Sequence, residues 1–269
     1  YDNTESGLAS TNVQGAIDEL YNACFPKGPL DGTVFEDKVV TSGDGLYEDE
    51  YEEARYIFKG KNPNNYVTFN NEEAGWRIIS IEPDRKLKIM QIETMREETW
   101  DSSGNNSWDR PASLNTYLNG TYYNRLTDIA KQQIVASDFS IGGITNNNND
   151  MKTQVSDENS KKWNGKVALA TASEYIRSCN NNSSCKTLRL YSNNYTTCRN
   201  TTWMYDEAWW TITPDSSRTS YVFIVNTAGD VTNSNTINNS FSINVHPVVY
   251  LSSDIKITGG DGSQSNPYQ

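Results

Sequence analysis

The residues best able to do chemistry are one histidine, four cysteines and a few acidic clusters. A serine or cysteine nucleophile needs an imidazole to take its proton, and His246 is the only one in the chain. It directly precedes Pro247, which pushes the residue before it into extended backbone. Alternation with Ser242 and Asn244 then points it outward. The pattern therefore predicts a surface histidine rather than a catalytic base, and a single histidine excludes a histidine-rich metal centre. Of the cysteines, Cys179, Cys185 and Cys198 fall in one polar stretch and Cys24 stands apart. None has the short C-x₂-C spacing of a zinc site. An even count in polar surroundings favours disulfides and an exported protein. Four cysteines allow three pairings, of which Cys185–Cys198 and Cys24–Cys179 are preferred.

The acids give no better catalyst. Glu48, Asp49, Glu50, Glu52 and Glu53 lack the alternation of a calcium loop and are expected to form a solvated face. Asp261 and Asn266 in "GGDGSQSNPY" suit a tight turn. Spacing selects no glycosidase pair among 34 acidic residues. No catalytic residue, metal site or cofactor is therefore expected, and the chain is not expected to be an enzyme.

The positive signal is for contact. There are 32 Asn, 16 Tyr and 7 Trp. Tyr and Trp offer large area at low entropic cost, and Ser, Asn and Gly offer adaptable hydrogen bonds, as in antibody paratopes. Candidate ligand-binding residues are Tyr205, Asp206, Trp210, Asp215, Ser217, Arg218, Tyr221, Asn226, Asp230, Asn233, Asn235, Asn238, Asn239 and Asn244. The alternative is that Asn-rich loops only solvate a bacterial surface. Adjacent strand residues face opposite sides, so one of Trp209 and Trp210 is expected in the core and the other toward the surface. A net charge of −11 argues against nucleic acid and anionic membrane as partners. No apolar run approaches the roughly 20 residues of a membrane span. The start without Met reads as a fragment or mature portion.

These residues need elements to hold them. Val13, Ala16, Ile17, Leu20 and Tyr21 form an apolar helical stripe, with Thr11 and Gln14 as a capping box and Pro26 at the exit. That stripe needs a partner, either the main domain or another chain. Strands are expected at 55–58 and 66–69, then a hairpin of Trp76–Glu82 and Lys86–Glu93 about Pro83-Asp84-Arg85. Apolar residues in both alternation phases make its first arm a strand covered on both faces. Two short helices follow, separated by a break at Asn119-Gly120. A strand then enters a helix capped by Thr171 and Glu174. Beyond about residue 180, short β-branched and aromatic runs alternate with polar loops. The chain divides into residues 1–26, a polar segment and assembly helix, and a domain at 27–269, with a display region at about 180–250.

The order of "GWRIIS", "WDRPASLNTYLNGTYYNRL", "EAWWTITPDSS" and "INVHPVVYLSSDIKITGGDGSQSNPY" resembles bacterial surface domains of the C-type-lectin-like class, which are related to the sulfatase-modifying-factor fold. The resemblance spans roughly residues 50–268. Its most specific marks are Trp76-Arg77, Trp209-Trp210 and "HPVVYL". That class usually has Arg-Pro in the last motif, so His246 departs from it. Diversified receptor-binding proteins encoded with retroelements in phages and bacteria have a similar fold, with variable positions near the C-terminus. The resemblance implies an α+β, C-type-lectin-like fold with small twisted antiparallel sheets, two or more flanking helices and long polar loops. It implies an extracellular adhesion module on a bacterial surface or phage particle, recognising a protein or glycan on another cell or host surface. An assembly partner would dock on the helix at 11–24, as in a pilus or tail tip. The modifying-enzyme activity is not carried over, because the cysteines match no such motif.

Overall fold

The β-branched and aromatic runs between residues 45 and 91 build the main sheet. Strands β1 (Gly45–Glu48), β2 (Tyr56–Lys59), β3 (Tyr66–Phe69), β4 (Glu72–Ile81) and β5 (Leu87–Gln91) all pair antiparallel. In β4, Trp76, Ile78, Ile79 and Ile81 are all buried, so the strand is covered on both faces as its sequence requires. The β4–β5 turn falls at the expected hairpin, and Arg85 takes a left-handed φ of 69° there. The computed structural model describes residues 12–24, 29–93, 99–145, 150–180, 199–236 and 243–269.

The chain then crosses to helices. α2 (Ser113–Tyr117), a π-helical turn at Leu118–Tyr122 and α3 (Tyr123–Arg125) run on continuously, followed by α4 (Asp128–Gln133). The expected break at Asn119-Gly120 is thus absorbed as a π-turn. The reason is local: Asn119 donates from Nδ2 to the Val167 carbonyl and accepts at Oδ1 from the Val167 amide, at 2.8 and 3.0 Å. These side-chain bonds hold the widened turn against β9 (Val167–Ala168). Strands β6 (Ile134–Val135) and β7 (Ser137–Ser140), helix α5 (Met151–Asn159) and strand β8 (Lys162–Gly165) precede β9. Helix α6 (Ala172–Arg177) carries the expected capping box of Thr171 and Glu174.

Three strands form a second sheet, β10 (Trp209–Pro214), β11 (Tyr221–Val225) and β12 (Val231–Asn235). Strand β13 (Val248–Leu251) returns to the main sheet, beside β5 on one edge and β6 and β9 on the other. The main sheet runs β1-β2-β4-β5-β13-β6, with β3 also on β4 and β9 also on β13. Near the end, Tyr268 donates its amide to the Tyr66 carbonyl and accepts from the Thr68 amide, clasping β3. The molecule is therefore α+β, with mainly antiparallel sheets and short helices.

Helix α1 (Val13–Cys24) is present. Asn12 caps it, accepting from the Gly15 amide at 2.8 Å, while Thr11 and Pro26 lie outside the described residues. Ala16 is buried, but Val13, Ile17 and Leu20 are 58, 52 and 52% exposed. Among the described residues no helix is long and apolar enough to cross a membrane.

Candidate functional site

The second sheet carries most of the expected contact residues and divides them between its two ends. At one end is the β10–β11 turn. Ser217 and Arg218 are exposed there, and the Arg218 guanidinium lies 4.4 Å from the centre of the half-buried Tyr221 ring. Tyr221 pairs in register with Asn235, and Asn233 follows on the same strand. Two buried or half-buried groups fix this end. Asp215 accepts from the Ser217 amide and hydroxyl, from Arg218 Nε at 3.0 Å and from Asn233 Nδ2 at 2.7 Å. Asn106 donates from Nδ2 toward the carbonyls of Asp215, Arg218 and Tyr221, all within 3.0 Å. Asp215, expected at the surface, is 1% exposed and organises the turn from within.

At the other end, the Asn226 side-chain oxygen accepts from the amides of Ala228 and Asp230, closing the β11–β12 turn. Tyr205 donates its hydroxyl to the Thr227 carbonyl at 2.6 Å. Other residues expected at the surface are buried as well. Trp209 and Trp210 are both fully buried, because a helix-bearing layer covers one face of β10 and the rest of the core covers the other; Tyr175 of α6 meets Trp209 edge-on at 5.9 Å. Asn244 is buried and donates to Glu207, while its backbone bonds to Ala208 and Trp210 on the β10 side. His246 is 2% exposed rather than outward-facing. Its ring meets Trp209 at a right angle, Nδ1 lies 2.9 Å from the Gln91 carbonyl, and Nε2 lies 3.4 Å from the exposed Asp206 carboxylate. Residues 243–247 are pinned between two sheets, so outward alternation has no solvent to meet. Asn238 and Asn239 lie outside the described residues, as do Cys185, Cys198 and the side chain of Cys24. Cys179 is buried.

A second constellation was not expected. Across one face of the main sheet, Ser80 of β4, Lys88 of β5 and Tyr250 of β13 stand in a row of register partners. Arg55 precedes β2, and Glu174 and Arg177 come from α6. Arg55 is 3% exposed and donates to Asp49, Glu52, Glu82, Glu174 and Ser80 at 2.7–3.3 Å. Arg177 reaches Asp49 at 2.5 Å and Glu52 at 2.7 Å. Lys88 donates to Glu174 at 2.6 Å. The acidic cluster is therefore partly an interior one: Asp49 is buried against two arginines and Glu52 is half-buried beside them, contrary to a fully solvated face. Burial alone would raise Glu174, but Lys88, Arg55 and Arg177 outweigh it and hold the carboxyl at about 2. The same contest leaves Glu52 far below its ordinary range, against Arg55 and Arg177. Glu158 of α5 goes the other way: burial pushes it up, despite hydrogen bonds from Ser173 and Thr213. Glu52, Arg55, Lys88, Glu158, Glu174, Arg177 and Tyr250 line a polar cleft of about 70 Å³ whose other walls include Glu82, Asp138, Ser140 and Lys162. Among the described residues no group of three or more His, Cys, Asp or Glu is arranged to hold a metal ion.

A family profile for a domain of unknown function matches residues 84–253, well over half of the chain. The chain belongs to the DUF6273 family. No curated protein and no solved structure gives a significant match. The DUF6273 match takes in the whole second sheet and strands β5 to β13, while Glu52, Arg55 and Glu82 of the cleft precede it. Sequence reasoning missed the cleft of this DUF6273 domain because its members come from distant segments. One local signal existed: Arg55, two residues after Glu53 and directly before the apolar run Tyr56–Phe58, is a charge headed for the interior.

Proposed function

We propose that this DUF6273 protein is a non-enzymatic binding module of the C-type-lectin-like class, displayed outside a bacterial cell or on a phage particle. It recognises a protein or glycan through the β10–β11 turn and the adjoining edge of β12, with Arg218, Tyr221, Asn233 and Asn235 as contacts. The observation that carries this reading is the bracing of an exposed Arg218, stacked on the half-buried Tyr221, by Asp215 and Asn106. Stacked Arg and Tyr side chains are frequent energetic anchors of interfaces. A turn fixed beforehand loses less entropy on binding than a slack one.

The triple variant Arg218→Ala, Tyr221→Ala, Asn235→Ala tests it. Probing glycan arrays and bacterial or host cell surfaces with the intact protein should reveal a partner. Binding should fall at least tenfold in the variant, with the melting temperature within about 3 °C, since these groups are exposed or half-buried. Equal binding by both proteins would remove the site assignment. A second reading, assembly into a larger surface structure, is favoured by the exposed Val13, Ile17 and Leu20 stripe on α1. Replacing all three with Ser should then turn an oligomer into a monomer in sedimentation. Unchanged sedimentation would remove that reading.

A further inference from the structure

The turn between β10 and β11 presents a cation whose two outer nitrogens are unused. The Arg218 side chain is 41% exposed, and its Nε donates to Asp215 at 3.0 Å. Among the described residues Nη1 and Nη2 have no acceptor. The guanidinium lies over the Tyr221 ring, 4.4 Å from its centre. Held at its Nε edge by a buried carboxylate and on one face by a ring, the group turns its Nη pair toward solvent. The backbone beneath is fixed as well. The Ser216 amide donates to the Ile144 carbonyl at 2.9 Å, and the Ile144 amide to the Pro214 carbonyl at 3.1 Å. Asn106 adds its own amide to the Thr219 carbonyl at 2.8 Å, beside the three carbonyls its side chain holds.

The chemistry of this fork narrows the ligand. Two Nη groups of one guanidinium match the oxygens of a carboxylate or a phosphate. Asp215 stays ionised behind them: burial would raise it, but Ser217, Asn233 and Arg218 hold it below the usual carboxylate range. One arginine backed by one carboxylate, in a chain of net charge −11, repels a dianion or a polyanion. A singly charged carboxylate suits it better. Asp101, whose amide bonds to the Thr236 carbonyl just after β12, is buried under bonds from Ser103, Asn105 and Ser113, so it puts no acid on the surface here.

The surroundings of the fork are hydroxyls and amides. Ser217 and Thr219 are exposed, and Asn233 and Asn235 are half-buried. Of the exposed large apolar side chains among the described residues, none belongs to β10, β11, β12 or their turns. A peptide partner would want an apolar anchor at the centre of its interface. The hydroxyls of a sugar need only polar partners. Arg218 already covers a face of Tyr221, so the sugar is held by its edge groups there and not by stacking.

We propose that the β10–β11 turn binds the carboxylate of an acidic sugar at the end of a glycan, with Nη1 and Nη2 of Arg218 as a bidentate fork and Ser217, Thr219 and Asn235 meeting the neighbouring hydroxyls. This inference rests on the binding-module reading above and names its ligand class. Asp215 and Asn106 are positioning residues, since they hold Arg218 and its turn without reaching the sugar.

The test is an array read with the intact chain. It carries glycans ending in uronic or sialic acids, the same glycans with their carboxyl groups amidated, neutral glycans, and acidic peptides. Binding should concentrate on the acid-terminated glycans and fall at least tenfold on amidation, which removes the charge at nearly constant shape. Arg218→Lys keeps the charge and loses the fork, so it should weaken binding at least tenfold, with the melting temperature within about 3 °C. Equal binding to amidated or neutral glycans, lost in the Arg218, Tyr221 and Asn235 triple variant, would overturn the carboxylate assignment and leave the binding face standing. Acidic peptides bound as tightly as the glycans, full affinity in Arg218→Lys, or no acid-terminated glycan bound would also overturn it. Acid-glycan binding that the triple variant keeps would remove the inference and the binding face together.

Discussion

Replacing Arg55 with Met tests whether the charge network under the cleft stabilises the fold. Arg55 touches four carboxylates, but they would not fare equally without it. Asp49 and Glu52 keep Arg177, and Glu174 keeps Lys88. Only Glu82 is left without a cation, with Ser80 as its remaining donor. The cost is therefore close to that of stranding one buried charge, about 3–5 kcal/mol, and not four times that. Because Glu82 is 17% exposed, the lower half of that range applies, about 3–4 kcal/mol. At about 2–4 °C per kcal/mol for a domain of this size, the melting temperature should fall by about 6–16 °C. The loss should shrink on acidification. Glu174 and Glu52 are depressed in the folded wild type, so the stability they supply is present above the ordinary glutamate value of 4.5 and lost as pH falls toward about 2. Arg55 is one of the cations that depress both groups, so the variant has already given up part of that stability, and the gap closes as they protonate. Thermal melts of both proteins between pH 7 and about 2.5 give the answer. A loss below about 1 kcal/mol, or a gap that widens as pH falls, would refute the reasoning.

Four further outcomes are expected. Gly142→Ala should cost about 1–3 kcal/mol in calorimetry, since a Cβ there would sit 2.0 Å from the Asp157 carbonyl and push α5 away. Ala74→Gly should raise the urea midpoint, because Ala74 sits at a φ of 55°, and relief of that strain outweighs the added chain entropy by about 0.5–1 kcal/mol. Arg77→Lys should lower it by about 1–3 kcal/mol: Arg77 stacks between Tyr66 and Trp203 at 4.2 and 4.7 Å and donates to Asn65, which an ammonium cannot match in one plane. Glu158→Gln should flatten the stability profile above pH 4.5. Burial raises that carboxyl in the fold, so its favourable share is full below 4.5 and is lost as pH rises through the folded value, and an amide has no such loss.

The local parts of this architecture were readable in the chain. The β4–β5 hairpin follows from its turn residues and two-phase apolar pattern, and α6 from its capping box, because both signals act over a few residues. What escaped was set by layers. Whether Trp210, Asn244 or His246 meets water depends on segments that pack from elsewhere, and alternation reports a face without saying what covers it. Asp215 shows the same limit at finer scale: its sequence reads as an exposed turn acid, yet Asn233 across the sheet turns it into a bracket. The cleft joins residues 52 to 250 and left almost no local trace.

The pairing of Tyr268 with Tyr66 and Thr68 ties together points roughly two hundred residues apart. Such a closure is late by necessity, since the entropy of a long loop is lost before the contact returns anything. As the chain leaves the ribosome, β3 and β4 can pair early, but the outer side of β3 must wait for residue 268. During that interval the strand has a free edge, which is a template for the wrong partner. Gly260 and Gly262, both at positive φ where a side chain would strike residues 267 and 268 or Asn64, let the returning segment fold flat enough to reach it. Assembly of this molecule is thus finished from its far end, and yield during synthesis should depend more on those two glycines than their place in the final structure suggests.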